Sequence, residues 1–336
     1  MSPNLRDMLE TRILVGDGAV GTLLHDRGIG YEHPYARANL THPDLVFSVH
    51  EEYLRAGANL IETNTFAADR LRLSTHNLED SVRDINVAGS RLARQAVDNM
   101  ANGGEKALVL GAIGPLGRSL EPVGSLTRGA ARETFLEQAE ALLEGGADAI
   151  LLETFTDVNE LRLAFETVRP LGAPVLAYKT FVEDGETLAE GLPAQVAREV
   201  SGWDVEIFGA NCTVGPQRML GIVEQMSDAA GPVAAFPNPG LPQLIDGQIR
   251  YRQDVDHFAL YGRKLAEAGA RLIGGCCGTT PAHVRALSEA LKDFVPETKT
   301  VRNTNVAFER ENVDVQAEPA SEFARKLETG FAVTVE

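Results

Sequence analysis

One repeated pattern constrains the fold of this chain more than any other feature. An amphipathic stretch, a turn of small residues and a short apolar run follow one another in YLRAGANLIETNTF, ALLEGGADAILLETF and KLAEAGARLIGGCCG. Gly57, Gly146 and Gly269 stand at the turns, where glycine can take the left-handed geometry that ends a helix. The apolar run that follows is typical of a strand buried on both faces. Each repeat therefore predicts the helix-to-strand half of a parallel β-α-β crossover.

Strands and helices of this character alternate along most of the chain. Eight such pairs favour a TIM barrel over an open doubly wound sheet, which usually has fewer strands and an early glycine-rich dinucleotide turn. Proline near the start of several helical stretches supports the assignment. We therefore predict a (β/α)8 TIM barrel. The predicted strands are 13–16, 60–62, 107–112, 149–153, 175–179, 206–211, 233–236 and 272–275. The predicted helices are 43–56, 81–99, 130–143, 157–168, 193–201, 216–226, 255–268 and 281–291.

The pattern stops near residue 295, which sets the predicted domain boundaries. Residues 296–320 are polar and charged and follow neither a helical nor a strand period, so we interpret them as a linker. Residues 321–336 read as a short amphipathic helix followed by the beginning of a strand. The prediction is a barrel over residues 1–295, a C-terminal linker over 296–320 and the start of a second domain at 321–336.

The composition excludes several classes of function. A formal net charge of −17 would repel nucleic acid and anionic lipid, so we expect neither as a partner. No apolar run approaches the roughly 18 residues that span a bilayer, and the N-terminus lacks a secretory pattern. The chain has 3 cysteines, two of them adjacent, which is too few for a disulfide framework. A cytoplasmic location is expected.

Functional groups of a TIM barrel lie at the C-terminal ends of its strands. All three cysteines occupy such positions: Cys212 follows the sixth predicted strand, and Cys276 and Cys277 follow the eighth. Barrel closure brings these ends within reach of one point, which predicts a three-thiolate metal site. Zinc suits such a set, because three protein ligands leave the fourth tetrahedral position open for catalysis. A net charge of −1 on this centre would favour alkyl transfer to a bound thiol over hydrolysis.

The cysteines and several other residues can also be interpreted as purely structural. Free cysteine often packs as a small buried hydrophobe, although three of three at the catalytic rim favours the metal site. No histidine belongs to a spaced metal pair, so we interpret His283 as a helix-surface residue. Trp203 is interpreted as a packing residue.

The loop after the first strand, in ILVGDGAVGTLLHDRG, joins a carboxylate to several glycines. Backbone N–H groups there, at Gly18 and Ala19, are predicted to hold a substrate carboxylate. Asp17 and Glu153 are placed to bind a substrate ammonium group. Asn211, at the end of the sixth strand, is also predicted to contact the substrate. For Glu62 a structural role and a substrate role are equally supported.

The segments GDGAVGT, ETNTF, GANCTVGP and GGCCGTTP resemble the homocysteine S-methyltransferase family over roughly residues 10–293. The resemblance implies that Cys212, Cys276 and Cys277 are zinc ligands and that Asp17 and Glu153 contact homocysteine. Where the family pattern usually reads PNAG this chain has Pro239 in place of alanine, which removes one backbone donor at the rim. IGPLGRSLEPVG and the tail from residue 321 look closest to bacterial fusions of this barrel with a methylenetetrahydrofolate reductase-like domain.

The expected activity is zinc-dependent methyl transfer to the thiol of homocysteine, forming methionine. A sulfonium donor and methyltetrahydrofolate relayed through a corrinoid protein are equally supported, ahead of betaine, because aromatic residues for an ammonium cage make up only 6% of the chain. Two alternatives stay open. One is a structural-zinc barrel that docks or regulates a fused reductase domain, and the other is a methyltransferase for a different small thiol.

Overall fold

Eight parallel strands form a ring in the computed structural model, which confirms the predicted (β/α)8 barrel. The barrel strands are β1 (Leu14–Val15), β2 (Leu60–Glu62), β3 (Leu108–Ile113), β4 (Ala149–Phe155), β5 (Val175–Lys179), β6 (Ile207–Asn211), β7 (Val233–Phe236) and β10 (Ala270–Ile273). Around the sheet the order is β1-β10-β7-β6-β5-β4-β3-β2, and a parallel bridge between Gly16 and Leu60 joins the two ends. The structure describes residues 5–30, 32–100, 107–181, 191–240, 242–245, 248–251 and 254–296. The predicted linker beyond residue 296 and the predicted second-domain start lie outside these residues.

The seam between the first and second strands is the thinnest part of the ring. Besides the bridge, the backbone N–H of Asn59 donates to Val15 O at 2.7 Å, and the Asn59 side chain accepts from Val15 N at 2.9 Å. One further bond crosses it higher up, where the N–H of Glu62 donates to a carboxylate oxygen of Asp17 at 3.0 Å. An asparagine and an aspartate side chain therefore supply hydrogen bonds that a longer β1 would make with its backbone.

The eight predicted helices are present, with ends that differ from the predicted ones by at most four residues. Gly57, Gly146 and Gly269 have φ of 104°, 103° and 113°, as the turn pattern predicted. Asp157 caps the helix that begins at Val158 by accepting from Asn159 N at 2.8 Å. The α-helices are α1 (Leu5–Thr11), α2 (Val20–Asp26), α3 (Ala38–Thr41), α4 (Pro43–Arg55), α5 (Arg70–Ser74), α6 (Val82–Met100), α7 (Arg128–Glu144), α8 (Val158–Val168), α9 (Leu192–Val200), α10 (Pro216–Ala230), α11 (Val255–Glu267) and α12 (Pro281–Leu291).

The barrel interior is apolar at its N-terminal end and polar at the other. Leucines from alternate positions of the strands, among them Leu60 on β2 and Leu151 on β4, form one buried cluster. The short helix α1, which the sequence did not predict, adds Leu5, Met8 and Leu9 to the same cluster. A second cluster lies between the strands and the outer helices, where Trp203 stacks on Phe165 with centroids 5.4 Å apart, as its predicted packing role requires.

Two further features were not predicted. Strands β8 (Pro242–Ile245) and β9 (Gln248–Tyr251) pair antiparallel as a hairpin between β7 and α11. The sequence analysis missed this hairpin, although an Asp-Gly pair between two strands is a common hairpin signal.

The interpretation of His283 as a helix-surface residue is wrong. His283 is fully buried at the start of α12, where its Nδ1 joins the Thr280 capping box and its ring packs edge-on against Phe258. Among the described residues no helix combines the length and hydropathy needed to cross a membrane.

Candidate active site at the carboxyl ends of the strands

The three cysteines lie together where β6 and β10 end. Their sulfur atoms all fall within 4.8 Å of one another, and Cys212 Sγ and Cys277 Sγ are 3.9 Å apart. Tetrahedral zinc with sulfur at ~2.3 Å places two ligand sulfurs about 3.8 Å apart. The donor set and its spacing therefore fit a zinc ion. Within the described residues no fourth histidine, cysteine or carboxylate completes the cluster.

The strand between the two cysteine segments holds both of them in place. The N–H of Cys212 donates to Phe236 O, and the N–H of Cys276 donates to Pro237 O, each at 2.9 Å. Cys212 and Thr213 have φ of 61° and 57°, in the left-handed region that non-glycine residues rarely adopt. The Thr213 hydroxyl fixes this turn by donating to Phe181 O at 2.8 Å. Backbone strain beside a cluster of reactive groups is typical of functional sites.

The three thiols differ in pKa. Hydrogen bonds from the thiols of Cys276 and Cys277 lower the pKa of Cys212 to about 3. The same bonds make the partners harder to ionise, and the pKa of Cys277 rises to about 12, with the hydrogen bond to Cys212 as the largest cause. The Cys212 thiolate therefore accepts hydrogen bonds from two thiols. A divalent cation would supply the positive charge that is needed for all three cysteines to be thiolates.

Two residues that the sequence did not single out also contact this cluster. The Asn238 side chain, which is buried, hydrogen-bonds Cys212. The Tyr251 side chain hydrogen-bonds Cys277, and a Cβ on Gly278, whose φ is 80°, would lie 2.3 Å from the tyrosine ring. Tyr251 belongs to the hairpin, so no strand-end rule could have found it.

Three carboxyl groups lie deeper in the barrel, at the ends of β1, β2 and β4. Asp17 is fully buried and Glu153 is 8% exposed. Asp17 Oδ1 and Glu62 Oε1 are buried without a hydrogen-bond partner in the described structure. The pKa of Glu153 is raised to about 8, first by burial and then by the charge of Cys212. Burial also raises the pKa of Asp17 and of Glu62 well above the ordinary range. A set of buried carboxyl groups of this kind is suited to binding a cationic group of a ligand.

Asn211 connects the carboxyl groups to the cysteines. Its Nδ2 donates to Thr154 Oγ1 at 2.7 Å and to Glu153 Oε2 at 3.3 Å, and lies 4.0 Å from Cys276 Sγ. Its Oδ1 accepts from Thr154 N at 2.9 Å, which holds Thr154 at a φ of 64°. Asn211 therefore fixes the end of β4 against the end of β6.

The glycine-rich loop is held by the Tyr53 hydroxyl, which donates to Ala19 O at 3.2 Å and to Thr279 O at 2.9 Å. A Cβ on Gly18 would lie 2.9 Å from that hydroxyl. The N–H of Ala19 already donates to Thr279 O at 3.3 Å, so it would have to change partner to bind a substrate carboxylate. Asn64, another polar strand-end residue, lies elsewhere, because its side chain bonds Tyr35 O and Asn39 Oδ1.

Two aromatic rings separate the polar site from the apolar interior below. Tyr178 and Phe236 pack with centroids 5.2 Å apart. The phenylalanine ring occupies space that a Cβ on Gly16 or Gly274 would fill, at 2.4 and 2.3 Å. We call this pair the aromatic floor.

Comparison with known proteins agrees with this geometry. The sequence model of the homocysteine S-methyltransferase family matches residues 14–291. The chain is 35% identical over 305 residues to methionine synthase of Mycobacterium tuberculosis, covering 87% of this chain but 26% of that protein. It therefore spans about a quarter of the length of the methionine synthases it matches.

Two solved structures resemble the fold over most of its length. The metallated form of the homocysteine methyltransferase MmuM from Escherichia coli superposes with a TM-score of 0.71 at 27% identity, covering 85% of this chain and 99% of that one. Its oxidized form gives 0.70 at the same identity and coverage. The matched family segment contains every strand of the barrel and all three cysteines. This chain belongs to the homocysteine S-methyltransferase family.

Proposed function

We propose that this chain transfers a methyl group to the thiol of homocysteine, with zinc held by Cys212, Cys276 and Cys277. The observation that carries the proposal is the open cluster of three sulfurs above a buried set of carboxyl groups. A small amino acid with a terminal thiol would meet both at once. Membership of the family and likeness to a homocysteine methyltransferase support the same substrate.

Asp17 and Glu153 bind the substrate ammonium in this proposal, because they are buried acceptors close to one another. Asn211 holds Glu153 in position through its side-chain amide. The loop at Gly18 and Ala19 receives the substrate carboxylate. These contacts direct the thiol toward the cysteine cluster, since Asn211 lies between the two groups.

Zinc bound to the three cysteines would lower the pKa of a thiol in the fourth position while leaving its sulfur electron-rich. In the transfer the homocysteine sulfur forms a bond to the methyl carbon, and the electron pair of the broken bond leaves with the donor. Transfer is easiest from a donor atom that carries positive charge or is a metal. A sulfonium and a methylcorrinoid charged from methyltetrahydrofolate remain the two favoured donors.

The absence of a fourth cysteine, histidine or carboxylate within the described part of the chain favours catalysis over structural zinc. We also propose a reductase-like partner domain, which the resemblance of the tail from residue 321 supports.

Two variants test the two halves of the site separately. Cys276→Ser should lower the zinc content measured by elemental analysis from about one ion per chain and should abolish homocysteine binding. Asp17→Asn should keep the zinc and lower homocysteine affinity at least about tenfold, because a charged hydrogen bond is lost. Full zinc retention in Cys276→Ser, or unchanged calorimetric affinity in Asp17→Asn, would contradict the assignment.

The donor is tested on the zinc-loaded protein with homocysteine. Methionine formation should be detected with S-methylmethionine, or with methylcobalamin, and not with betaine. Zinc bound by the cysteines without any effect of homocysteine would instead support the structural-zinc alternative.

A further inference from the structure

Glu62 is the one carboxyl group of the site to which no role has been given. It is the last residue of β2, two positions after Leu60, which belongs to the buried interior cluster. Side chains alternate along a strand, so Glu62 faces the barrel interior, as Glu153 does two positions after Leu151 on β4. Its Oε1 is buried and unpartnered in the described structure.

The groups that act on Glu62 are all acidic. The charges that shift its pKa are those of Glu153 and Asp17, after burial as the largest cause. The phenols of Tyr178 and Tyr53 also lie within electrostatic range of it. No cation among the described residues acts on this group. Three ionised carboxylates around one substrate ammonium would leave two uncompensated negative charges in a buried site, which is strongly unfavourable.

Hydrogen bonding distinguishes which carboxyl group keeps a proton. Asp17 accepts from the N–H of Glu62 at 3.0 Å, and that bond stabilises its charged form. Glu153 accepts from Asn211 Nδ2 at 3.3 Å and from the Thr154 hydroxyl at 3.5 Å. The described structure gives the Glu62 side chain no donor of this kind. Glu62 is therefore the group for which ionisation costs most.

We infer that Glu62 completes the ammonium pocket as a neutral carboxylic acid, while the charge of the substrate ammonium keeps Asp17 ionised beside it. This inference rests on the proposed function for its substrate. A neutral acid both donates and accepts a hydrogen bond. It can therefore fill the pocket beside Asp17 and Glu153 without adding a third negative charge. The pocket then recognises a single ammonium group.

Conservative substitution separates a neutral Glu62 from an ionised one. Glu62→Ala should lower homocysteine affinity about tenfold in calorimetry on the zinc-loaded protein, and Glu62→Gln should rescue most of it, because an amide also donates and accepts. The matched pair is Asp17→Ala and Asp17→Asn. Asparagine can still accept from the N–H of Glu62, but it lacks the charge and should not rescue affinity. Failure of Glu62→Gln to rescue would overturn the inference.

Infrared spectroscopy gives a readout that needs neither homocysteine nor activity. The wild-type protein at neutral pH should show the C=O stretching band of buried carboxylic acids, to which Glu153, with its pKa of about 8, also contributes. The difference spectrum of wild type minus Glu62→Gln should therefore contain a band component that belongs to Glu62. A wild-type spectrum without such a band, or a band that Glu62→Gln leaves unchanged, would overturn the inference even if a variant folds poorly by circular dichroism. If the band behaves as expected but wild-type protein does not bind homocysteine, the proposed function fails and the protonation state stands.

Discussion

At the scale of single residues, the unusual backbone conformations of the barrel rim lie beside its reactive groups. Thr154, Cys212 and Thr213 have positive φ, and each adjoins or belongs to the candidate site. Side-chain hydrogen bonds of Asn211 and of Thr213 hold these turns. The strain, of order 1–3 kcal/mol per residue, is thus offset by contacts made within the site.

His50 on α4 is a buried histidine remote from this chemistry, and it makes the fold sensitive to acid. Both ring nitrogens are buried without a partner in the described structure, and burial lowers the pKa from 6.5 to about 4. The unfolded chain binds a proton more readily than the folded one. The free energy of unfolding is therefore unaffected by His50 above about pH 6.5, where the residue is neutral in both states. It falls as pH falls from 6.5 toward 4, and at pH 5 the loss is about 2 kcal/mol.

His50→Leu should accordingly flatten the pH dependence of the free energy of unfolding between pH 7.5 and 5. Urea unfolding of the zinc-free protein measures it without a contribution from metal loss. The exposed His76 offers the control, since His76→Leu should keep the wild-type slope. Parallel slopes for wild type and His50→Leu would show that the folded protein accommodates a protonated His50.

At the scale of elements, the aromatic floor depends on strands that carry glycine. A Cβ on Gly274 would lie 2.3 Å from the ring of Phe236, which is 2% exposed and cannot move outward freely. Gly274→Ala should therefore lower the free energy of unfolding by roughly 1–3 kcal/mol. Denaturant titration measures the change.

Gly129 in α7 is the matched control, because the nearest atom to its added Cβ is 4.0 Å away. Gly129→Ala should leave stability unchanged or raise it by up to about 1 kcal/mol. Equal effects of the two substitutions would mean that the floor repacks without cost.

The strand-end rule predicted much of the site because a closed parallel barrel leaves its strand ends little freedom. Asp17, Glu153, Asn211 and the cysteine segments meet because each lies at or near the carboxyl end of a barrel strand. The rule does not say which way a side chain turns after its strand has ended, and Asn64 turns into a network with Asn39 instead. Contacts made by a separate element, such as that of Tyr251 with Cys277, depend on tertiary packing that no local pattern encodes.

At the scale of the whole molecule, the family match ends at residue 291, where α12 also ends. The polar stretch 296–320 stays a predicted linker, and 321–336 a predicted start of a second domain. A chain ending at residue 296 should therefore unfold within about 2 °C of the full-length protein, as measured by calorimetry. A fall of several degrees would show that the remaining residues stabilise the barrel.

Because Asp17 accepts the hydrogen bond from the N–H of Glu62, Asp17 has two roles. Asp17 is proposed to bind the substrate, and it also supplies a hydrogen bond across the thinnest seam of the ring. Its replacement would cost stability and substrate affinity together, so the amino-acid end of the pocket has little freedom to diverge. Tyr251 of the hairpin contacts the cysteine cluster and lies outside this seam. We therefore expect sequence variation within the family to be smaller at Asp17 than in the hairpin.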